Sequence, residues 1–341
     1  MEGVGQVSLP KISVIMLTYN REKLVGRMAE CIHTQTFRNF EFIIVDNGST
    51  DRSGAVADEF AAKDDRIRVI HRQRGNIGSG RNVGLDAAQG EYIVFVDDDD
   101  SCEPDFLEFL YKMVVENKAD VAICGVYKAP KSEDTSVSAT ELLVMDEKEA
   151  IVELMWRKRY NNGFPTKLFK YSLFKGLRFP ETGRYDDIYL MYKVLASAKK
   201  VAYHSFPKYH VYRHEGNNSL ATTKDRMITP EYLSDYRTAY RERTEWLCNR
   251  FPDEADYWWY FDFSFQISMV NKIIANELEG CEKHLLEMQH ELYENSKTFL
   301  NCTYILDYER KWFELYVMQH NKGAFDHATS NASDFGEIGR T

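Results

Sequence analysis

The sequence predicts an α/β fold, with a mostly parallel sheet flanked by helices and a helical region at the C-terminus. Between residues 12 and 126, short runs of β-branched and aromatic residues alternate with segments of helical spacing. Beyond residue 221 the spacing is helical, as Tyr232, Tyr236 and Tyr240 illustrate. Because parallel strands need long crossovers, usually helices, this alternation is typical of a parallel sheet with helices on both faces.

Strands and helices alternate in the first half of the chain. The predicted strands cover residues 12–17, 40–45, 67–70, 92–96 and 121–126. The predicted helices cover residues 21–35, 53–62, 104–117 and 146–159. The second helix follows Ser49, Thr50 and Asp51, residue types that cap helix N-termini, which supports its start at residue 53.

The domain boundaries follow from changes in composition. We expect an N-terminal extension over residues 1–8 and an α/β domain over residues 9–220, with a polar linker at residues 129–140. A helical region over residues 221–320, with helices at 258–274, 282–293 and 308–318, should pack on that domain. Residues 321–341 are rich in Gly, Ser, Asn and Asp, and are therefore predicted to be a disordered tail.

Composition indicates a soluble globular protein, with 44% hydrophobic and 28% charged residues. The formal net charge of −10 argues against a nucleic-acid partner, because such binding needs clustered Lys and Arg. The six cysteines lack the paired spacing of a zinc site, and the N-terminus lacks the basic and apolar stretches of a signal peptide. We therefore expect a cytoplasmic protein with reduced thiols.

Four consecutive carboxylates, Asp97 to Asp100, directly follow the predicted strand 92–96. Because adjacent carboxylates repel one another, such a run at the end of a buried strand needs a cation or hydrogen-bond donors. Oxygen ligands of this kind select Mg²⁺ or Mn²⁺, which usually bind one or two carboxylates and phosphate oxygens. A solvated turn or a helix cap is the structural alternative.

Two other strands end in polar clusters that should meet these carboxylates. The first strand runs into Thr18, Tyr19, Asn20 and Arg21, and the second into residues 46–51. Ligands of open α/β sheets bind outside the carboxyl ends of the strands. In such a crevice Asp46 can accept the imide hydrogen of a uracil, while Thr18 and Tyr19 line its ring. Asp97 can hold ribose hydroxyls, and an Asx turn with a helix cap is the alternative for residues 46–51.

Residues 75–84 contain Gly78, Gly80 and Gly84, which resemble a dinucleotide-binding fingerprint. That fingerprint belongs to the turn after the first strand. In this chain the corresponding turn, residues 18–22, has no glycine. The position of the glycines therefore argues against a nicotinamide or flavin enzyme.

Taken together, these segments resemble the motifs of family 2 glycosyltransferases with a GT-A fold. The motifs are KISVIMLTYN at residues 11–20, VDNGSTD at 45–51, NIGSGRNVG at 76–84 and FVDDDD at 95–100. Weaker likeness continues through residues 165–169, 179–181, 186–188 and 212–213, so it covers roughly residues 9–220. Four motifs in the right order make this resemblance specific, whereas the last third of the chain has no such motif.

The resemblance implies a site for a nucleoside diphosphate sugar. Thr18, Tyr19, Asn20 and Asp46 would hold the nucleobase, Asp97 the ribose, and Asp99 a Mn²⁺ or Mg²⁺ ion. The remaining residues expected to bind the nucleotide are Arg21, Asn76, Arg81, Asp98, Arg213 and Ser219. Arg213 and Ser219 lie where related enzymes close a segment over the diphosphate, and His214 is either a third metal ligand or an ordinary packing residue.

The catalytic base implied by the resemblance is one of two adjacent acids. The family usually has Glu-Asp where this chain has Asp186-Asp187, and the second acid is generally the base, so we favour Asp187 while Asp186 stays open. A helix N-cap is the alternative role for either acid. Acceptor specificity is expected in residues 161–170, with Lys167 contacting the acceptor.

The implied activity is inverting transfer of a sugar, with a UDP-sugar as the favoured donor, to a hydroxyl of a glycan or lipid-linked acceptor. Assembly of a bacterial surface polysaccharide or glycolipid follows from the family. A nucleotidyltransferase is the alternative enzyme, although residues 18–23 form a poor triphosphate loop. A catalytically silent sugar-nucleotide binder in an assembly complex is the non-enzymatic alternative.

An aromatic segment at residues 258–265 has two interpretations. It is either a buried core helix, which its all-round apolar character favours, or a helix resting on the inner face of the cell membrane. Peripheral membrane contact is therefore an expectation for this region, and a membrane-spanning helix is not.

Overall fold

A computed structural model describes residues 9–127, 140–214 and 225–319. The chain divides into two compact units, the first ending at His214 and the second beginning at Glu215. The predicted extension at residues 1–8, most of the predicted linker, Ser219 and the predicted tail lie outside the described residues.

The first unit contains one nine-stranded sheet. Its strands are β1 (Ile12–Thr18), β2 (Phe40–Asp46), β3 (Ile67–His71), β4 (Tyr92–Asp97), β5 (Ser101–Cys102), β6 (Val121–Tyr127), β7 (Leu142–Met145), β8 (Lys167–Lys170) and β9 (Val201–His210). The strand order is β3-β2-β1-β4-β8-β6-β9-β5, and β7 pairs with β9. The first four strands in this order are parallel, whereas β8 is antiparallel to both of its neighbours.

Helices connect the strands of this sheet. They are α1 (Val25–His33), α2 (Ser53–Ala61), α3 (Ile77–Ala87), α4 (Phe106–Asn117), α5 (Glu147–Trp156) and α6 (Asp186–Leu195), with a short 3₁₀ turn at Tyr171–Phe174. All five predicted strands are present to within one residue, and the predicted α/β class is confirmed. The first helix is shorter than predicted, because residues 21–24 form the turn that leads into it.

The second unit is helical in the part that the structure describes. Its helices are α7 (Pro230–Arg250), α8 (Ala255–Ala275), α9 (Glu282–Glu294), α10 (Ser296–Asn301) and α11 (Asp307–Phe313), with 3₁₀ turns at Asp225–Met227 and Pro252–Glu254 and a π-helical turn at Glu314–Met318. Helix α8 is the core of this unit, since Trp258 and Tyr260 are each 1% exposed and Phe263 is 2% exposed. Burial confirms the core interpretation of the aromatic segment. No helix among residues 9–127, 140–214 and 225–319 is long and apolar enough to span a bilayer.

The glycine-rich segment forms α3 and packs directly on the sheet. A Cβ atom at Gly80 would lie 2.3 Å from Leu17 Cδ1, and one at Gly84 would lie 2.4 Å from Ile15 Cγ2. Both distances are too short for any side chain, so glycine lets α3 approach β1 closely. The segment therefore serves helix–sheet packing, and it brings Arg81 to the end of β4.

Candidate active site

The loops after β1 and β2 are joined by a small set of hydrogen bonds. Asn20 has a left-handed backbone (φ 51°), which Asn tolerates better than most residues, and its Oδ1 accepts a hydrogen bond of 2.8 Å from Thr50 N. Asn20 N donates to Ser49 Oγ at 3.1 Å. Thr18 O accepts a bond of 2.9 Å from Asn47 N. The two polar clusters therefore form one rigid edge of a crevice, as their strand ends predict.

The carboxylate of Asp46 is buried at the base of this edge. Its Oδ1 accepts a bond of 3.0 Å from Ser49 N, and its Oδ2 lies 3.0 Å from His71 Nδ1. Burial raises the pKa of Asp46, but the hydrogen bonds from Ser49 and His71 outweigh burial and lower it overall.

The Asx-turn alternative holds for Asp51, whose Oδ1 accepts a 2.9 Å bond from Ser53 N two residues on, and not for Asp46, whose partner is three residues on. The helix-cap alternative is wrong, because Arg52 is the N-cap of α2. Asp46 can still accept a further bond from a ligand, because a carboxylate has about four acceptor positions.

The four consecutive acids are divided among four different partners. Asp98 Oδ2 accepts a 2.6 Å bond from Thr18 Oγ1, and Asp100 Oδ1 accepts a 2.8 Å bond from Tyr212 N. Asp99 Oδ2 lies 2.9 Å from His214 Nε2, and Asp97 is paired with Arg81. Because Asp98, Asp99 and Asp100 are each no more than 9% exposed, the solvated-turn alternative for this run is wrong.

Burial of these acids raises their pKa values. Burial, with the carboxylates of Asp99 and Asp186 adding to it, raises the pKa of Asp97 to about 6, although Arg81 opposes the shift. Burial raises the pKa of Asp98 to about 7 and that of Asp100 to about 8. The full negative charge of the cluster is therefore unfavourable unless a cation or hydrogen-bond donors stabilise it.

Arg81 connects the end of β4 to the start of α6. Its Nη2 lies 3.4 Å from Asp97 Oδ1 and its Nη1 donates to Asp186 Oδ2 at 2.6 Å. The guanidinium is largely buried, with 12% of the side chain exposed, and packs 5.7 Å from the Phe164 ring centroid and 5.5 Å from that of Phe179. Arg81 thus neutralises Asp186 and holds the two acidic segments side by side.

Asp187 has a different environment from its neighbour. Its Oδ1 accepts a 2.9 Å hydrogen bond from Ile188 N, and the Arg81 ion pair goes to Asp186 instead. Burial and the Asp186 carboxylate raise the pKa of Asp187 above its ordinary value. Tyr185 occupies the N-cap position of α6, so the N-cap alternative for Asp186 and Asp187 is wrong, and both lie in its first turn.

Arg27 on α1 supports the acidic loop, and sequence reasoning missed it. Its Nη2 donates to the Asp99 carbonyl and its Nε to the Asp100 carbonyl at 3.2 Å. The guanidinium also lies 4.4 Å from the ring centroid of Tyr212. Tyr209 was missed as well, although its hydroxyl accepts a 3.1 Å bond from Asp97 N. No motif or spacing marks either residue, because both act through partners far away in sequence.

Four other residues predicted to bind the nucleotide, Tyr19, Arg21, Asn76 and Arg213, have different surroundings. Arg21 Nε is 4.0 Å from Asp98 Oδ1, and the Arg74 guanidinium lies 4.3 Å from the ring centroid of Tyr19. Asn76 caps α3 by accepting from Ser79 N at 2.8 Å. Arg213 is exposed.

Lys167 is fully buried on β8, where its Nζ donates to the Gly163 carbonyl at 2.5 Å. Burial lowers its pKa to about 7. The structure thus places its amine inside the protein, and contact with an acceptor stays a prediction.

The family model and the relatives that match this chain are all glycosyltransferases. Residues 13–180 match the family model Glycosyl transferase family 2. The glycosyltransferase GlyG of Streptococcus pneumoniae is 35% identical over 226 residues, which cover 63% of this chain and 74% of GlyG. The putative glycosyltransferase EpsH of Bacillus subtilis is 31% identical over 210 residues, or 59% of this chain and 60% of EpsH. GlyA of S. pneumoniae is 35% identical, but the match spans only 29% of its length.

Comparison with solved structures identifies proteins that share the fold of this chain. TarS of S. aureus (residues 1–349) matches 85% of this chain and 78% of its own, with a TM-score of 0.58 and 20% sequence identity. A second structure of the same TarS fragment, in complex with UDP-GlcNAc, matches with the same TM-score and 21% identity. This likeness confirms the predicted GT-A fold. The match to GlyG, together with the family model over residues 13–180, shows that the chain belongs to glycosyltransferase family 2.

Proposed function

We propose that this glycosyltransferase moves a sugar from a UDP-sugar to a hydroxyl of a glycan or lipid-linked acceptor, with inversion at the anomeric carbon. One observation supports the proposal above all: Arg81 contacts both Asp97 at 3.4 Å and Asp186 at 2.6 Å. That bridge puts the end of the nucleotide-binding strand β4 next to the acids at the start of α6. A donor held at the first segment would therefore meet a proton acceptor at the second.

The donor is proposed to lie across the ends of β1, β2 and β4. Thr18, Tyr19, Asn20 and Asp46 supply hydroxyl, ring, amide and carboxylate groups for a base, and Asp97 supplies a carboxylate for the ribose. Asp98 is proposed to contribute indirectly, because its Oδ2 accepts a 2.6 Å hydrogen bond from Thr18 Oγ1 and so orients that hydroxyl. The complex of TarS with UDP-GlcNAc supports a uridine donor. Arg21, Arg213 and Ser219 are proposed to contact the phosphates, since Arg donors match phosphate oxygens.

Asp187 is proposed to be the general base. Asp186 is neutralised by Arg81, whereas the raised pKa of Asp187 makes it a better proton acceptor than an ordinary Asp. As the acceptor oxygen attacks the anomeric carbon, its proton goes to the Asp187 carboxylate and the bond to the UDP oxygen breaks. The sugar carbon is attacked opposite the leaving group, which gives inversion.

A divalent cation fits the donor atoms that converge at Asp99. Asp99 Oδ2 and His214 Nε2 lie 2.9 Å apart and offer an oxygen and an imidazole nitrogen. Within the described ranges no group of three or more His, Cys, Asp or Glu residues could hold an ion, so further ligands would come from diphosphate and water. Mn²⁺ or Mg²⁺ bound there would neutralise the charge of the leaving diphosphate.

The test is turnover of a panel of UDP- and GDP-sugars by the purified chain, assayed as release of the nucleoside diphosphate. The proposal predicts release from at least one UDP-sugar. Formation of inorganic pyrophosphate from a nucleoside triphosphate and a sugar phosphate would instead indicate a nucleotidyltransferase. Binding of UDP-sugars without turnover, in the presence of broad acceptor mixtures, would indicate the silent-binder alternative.

A further inference from the structure

Helices α7, α8 and α9 line a cavity of about 520 Å³ in the second unit, and this cavity is open to solvent. Its size lies within the range of small-molecule sites, roughly 300–1,000 Å³. Every lining residue belongs to these three helices. The cavity is therefore separate from the residues assigned to the donor and to the catalytic base.

Gln266 lines the cavity and has one polar atom without a partner. The residue is 2% exposed, and its Nε2 donates to Asp262 Oδ2 at 2.7 Å. Because a carboxylate only accepts, this bond fixes the amide orientation and directs Oε1 elsewhere. Oε1 has no hydrogen-bond partner in the part of the chain that the structure describes. A buried acceptor without a donor costs free energy, so this position favours a molecule that brings one.

Arg241 also lines the cavity and has a hydrogen-bond donor without a partner in the described structure. Its Nη2 donates to the same atom, Asp262 Oδ2, at 3.0 Å and also to Glu291. Its Nε is buried and has no hydrogen-bond partner among residues 9–127, 140–214 and 225–319. Arg241 and Gln266 thus donate to the same carboxylate oxygen, and each keeps one unpaired atom, a donor in Arg241 and an acceptor in Gln266. A hydroxyl group satisfies both, because it accepts one hydrogen bond and donates another.

The charged side chains that line the cavity determine whether it favours a charged or a neutral ligand. Five carboxylates line the cavity, from Glu242, Glu245, Asp262, Glu287 and Glu291, against Arg237, Arg241, Lys283 and the imidazole of His284. The carboxylates would repel a phosphate or carboxylate ligand. No described cluster of three or more His, Cys, Asp or Glu residues has the arrangement needed to hold a cation. A neutral, hydroxyl-rich ligand fits this lining best.

Phe265 adds an apolar wall beside these polar groups. It is 7% exposed and stacks on Tyr240 with ring centroids 4.0 Å apart, which fixes its orientation. A sugar ring has apolar C–H faces and hydroxyl edges, so it matches an aromatic wall next to fixed polar groups. The Arg241 side chain is 34% exposed, so this side of the cavity is accessible from solvent.

We propose that the cavity between α7, α8 and α9 binds a neutral glycan segment, one hydroxyl of which accepts from Arg241 Nε and donates to Gln266 Oε1. The cavity supplies affinity for a carbohydrate and takes no part in bond breaking. This site does not depend on the donor or the catalytic base proposed above.

The test is titration of the full chain with neutral trisaccharides of glucose, galactose and N-acetylglucosamine at up to about 10 mM, a range that detects millimolar binding. Inorganic phosphate and Mg²⁺ are the anionic and cationic probes. Binding is followed by calorimetry and by saturation-transfer NMR. We expect at least one trisaccharide to bind and Gln266→Leu to weaken that binding by roughly tenfold or more.

Gln289→Leu is the matched control. Gln289 is 4% exposed, donates to Tyr316 O at 2.6 Å and also has an unpaired Oε1, but it does not line the cavity. Its variant should bind the trisaccharide as the parent does. Should Gln266→Leu not fold, Thr238→Trp, at an exposed lining position, should block binding by volume.

Three results would overturn the proposal. The first is the absence of trisaccharide binding across the whole panel. The second is binding that survives both Gln266→Leu and Thr238→Trp, which would place the sugar elsewhere. The third is a cavity that takes up phosphate or Mg²⁺ in a Gln266-dependent manner, which would replace the neutral class of ligand with a charged one.

Discussion

The two units of this chain treat their clustered charges differently. In the first, the acids of the site are matched one by one, Asp98 with Thr18, Asp100 with Tyr212 N and Asp186 with Arg81. In the second, three helices gather five carboxylates and three Lys or Arg side chains around a cavity, and single atoms of Arg241 and Gln266 there have no hydrogen-bond partner among the described residues. The family model covers residues 13–180 and thus ends within the first unit.

This contrast shows which residues can be placed together in the fold from the sequence alone. The carboxyl ends of parallel strands meet at one edge, so polar residues directly after β1, β2 and β4 must converge. No such rule applies where α7, α8 and α9 meet, because which faces enclose a cavity depends on their packing. Four experiments sharpen this contrast, in order of decreasing expected effect.

Asp187→Asn should have the largest effect. Without a carboxylate the proton of the acceptor has no base, so transfer should fall by roughly 10²- to 10⁴-fold while nucleotide binding survives. Initial rates and UDP titration measure the two properties separately. Asp86→Asn, at a 62% exposed side chain on α3, is the control for the same chemical change. Transfer at the parental rate by Asp187→Asn would refute the base assignment.

Lys167→Met should change the pH dependence of stability. Burial lowers the pKa of Lys167 to about 7 from its ordinary value of 10.5, so the unfolded chain binds more protons between these two pH values and stability rises with pH there. Met removes this contribution. The variant should gain stability relative to the parent at pH 6, and this advantage should shrink by on the order of 3 kcal/mol towards pH 10.

Chemical denaturation at several pH values measures this difference. Lys170→Met, on the same strand with 43% of the side chain exposed, is the control for losing an ordinary lysine. A stability difference between Lys167→Met and the parent that stays constant from pH 6 to pH 10 would contradict the buried amine.

Gly84→Ala should destabilise the first unit by roughly 1–3 kcal/mol, because its Cβ would lie 2.4 Å from Ile15 Cγ2 in a packed core. Gly26→Ala is the matched control in α1, where the added Cβ would meet Val56 Cγ1 at 3.6 Å and Phe60 Cε2 at 3.9 Å, both ordinary van der Waals distances. It should be neutral or stabilising by up to about 1 kcal/mol, since Ala favours helix. Equal melting temperatures of the two variants would show that α3 does not need glycine for its packing.

Much of the fold and part of the site could be predicted from the sequence. Strand runs of β-branched residues and the Asp97–Asp100 motif are local signals, and they placed β1 to β4 and the acidic edge. The antiparallel strand β8 and the short β5 were not predicted, because their residues carry no clear alternation and their pairing depends on distant partners. Local pattern therefore gave β1 to β4 and β6, whereas β5, β7, β8 and β9 were missed.

The pairing within the site was also beyond sequence reasoning. Arg81 and Asp186 are 105 positions apart, and Arg27 reaches the Asp99 carbonyl across 72. The burial of Lys167 follows from packing around β8, whereas the sequence indicated only its place in residues 161–170, where acceptor specificity is expected. Residue types were predictable, whereas which acid pairs with which base was set by tertiary structure.

The most direct test of the donor site is a calorimetric titration with UDP in Mn²⁺ and then in EDTA. For the parent we predict that EDTA weakens UDP binding by about tenfold or more, or about 1.4 kcal/mol. For Asp99→Asn we predict weak binding that no longer depends on Mn²⁺, with Asp86→Asn behaving as the parent does. If the parent failed to bind UDP, or bound it equally with Mn²⁺ and with EDTA, the metal-assisted donor site at the end of β4 would be wrong.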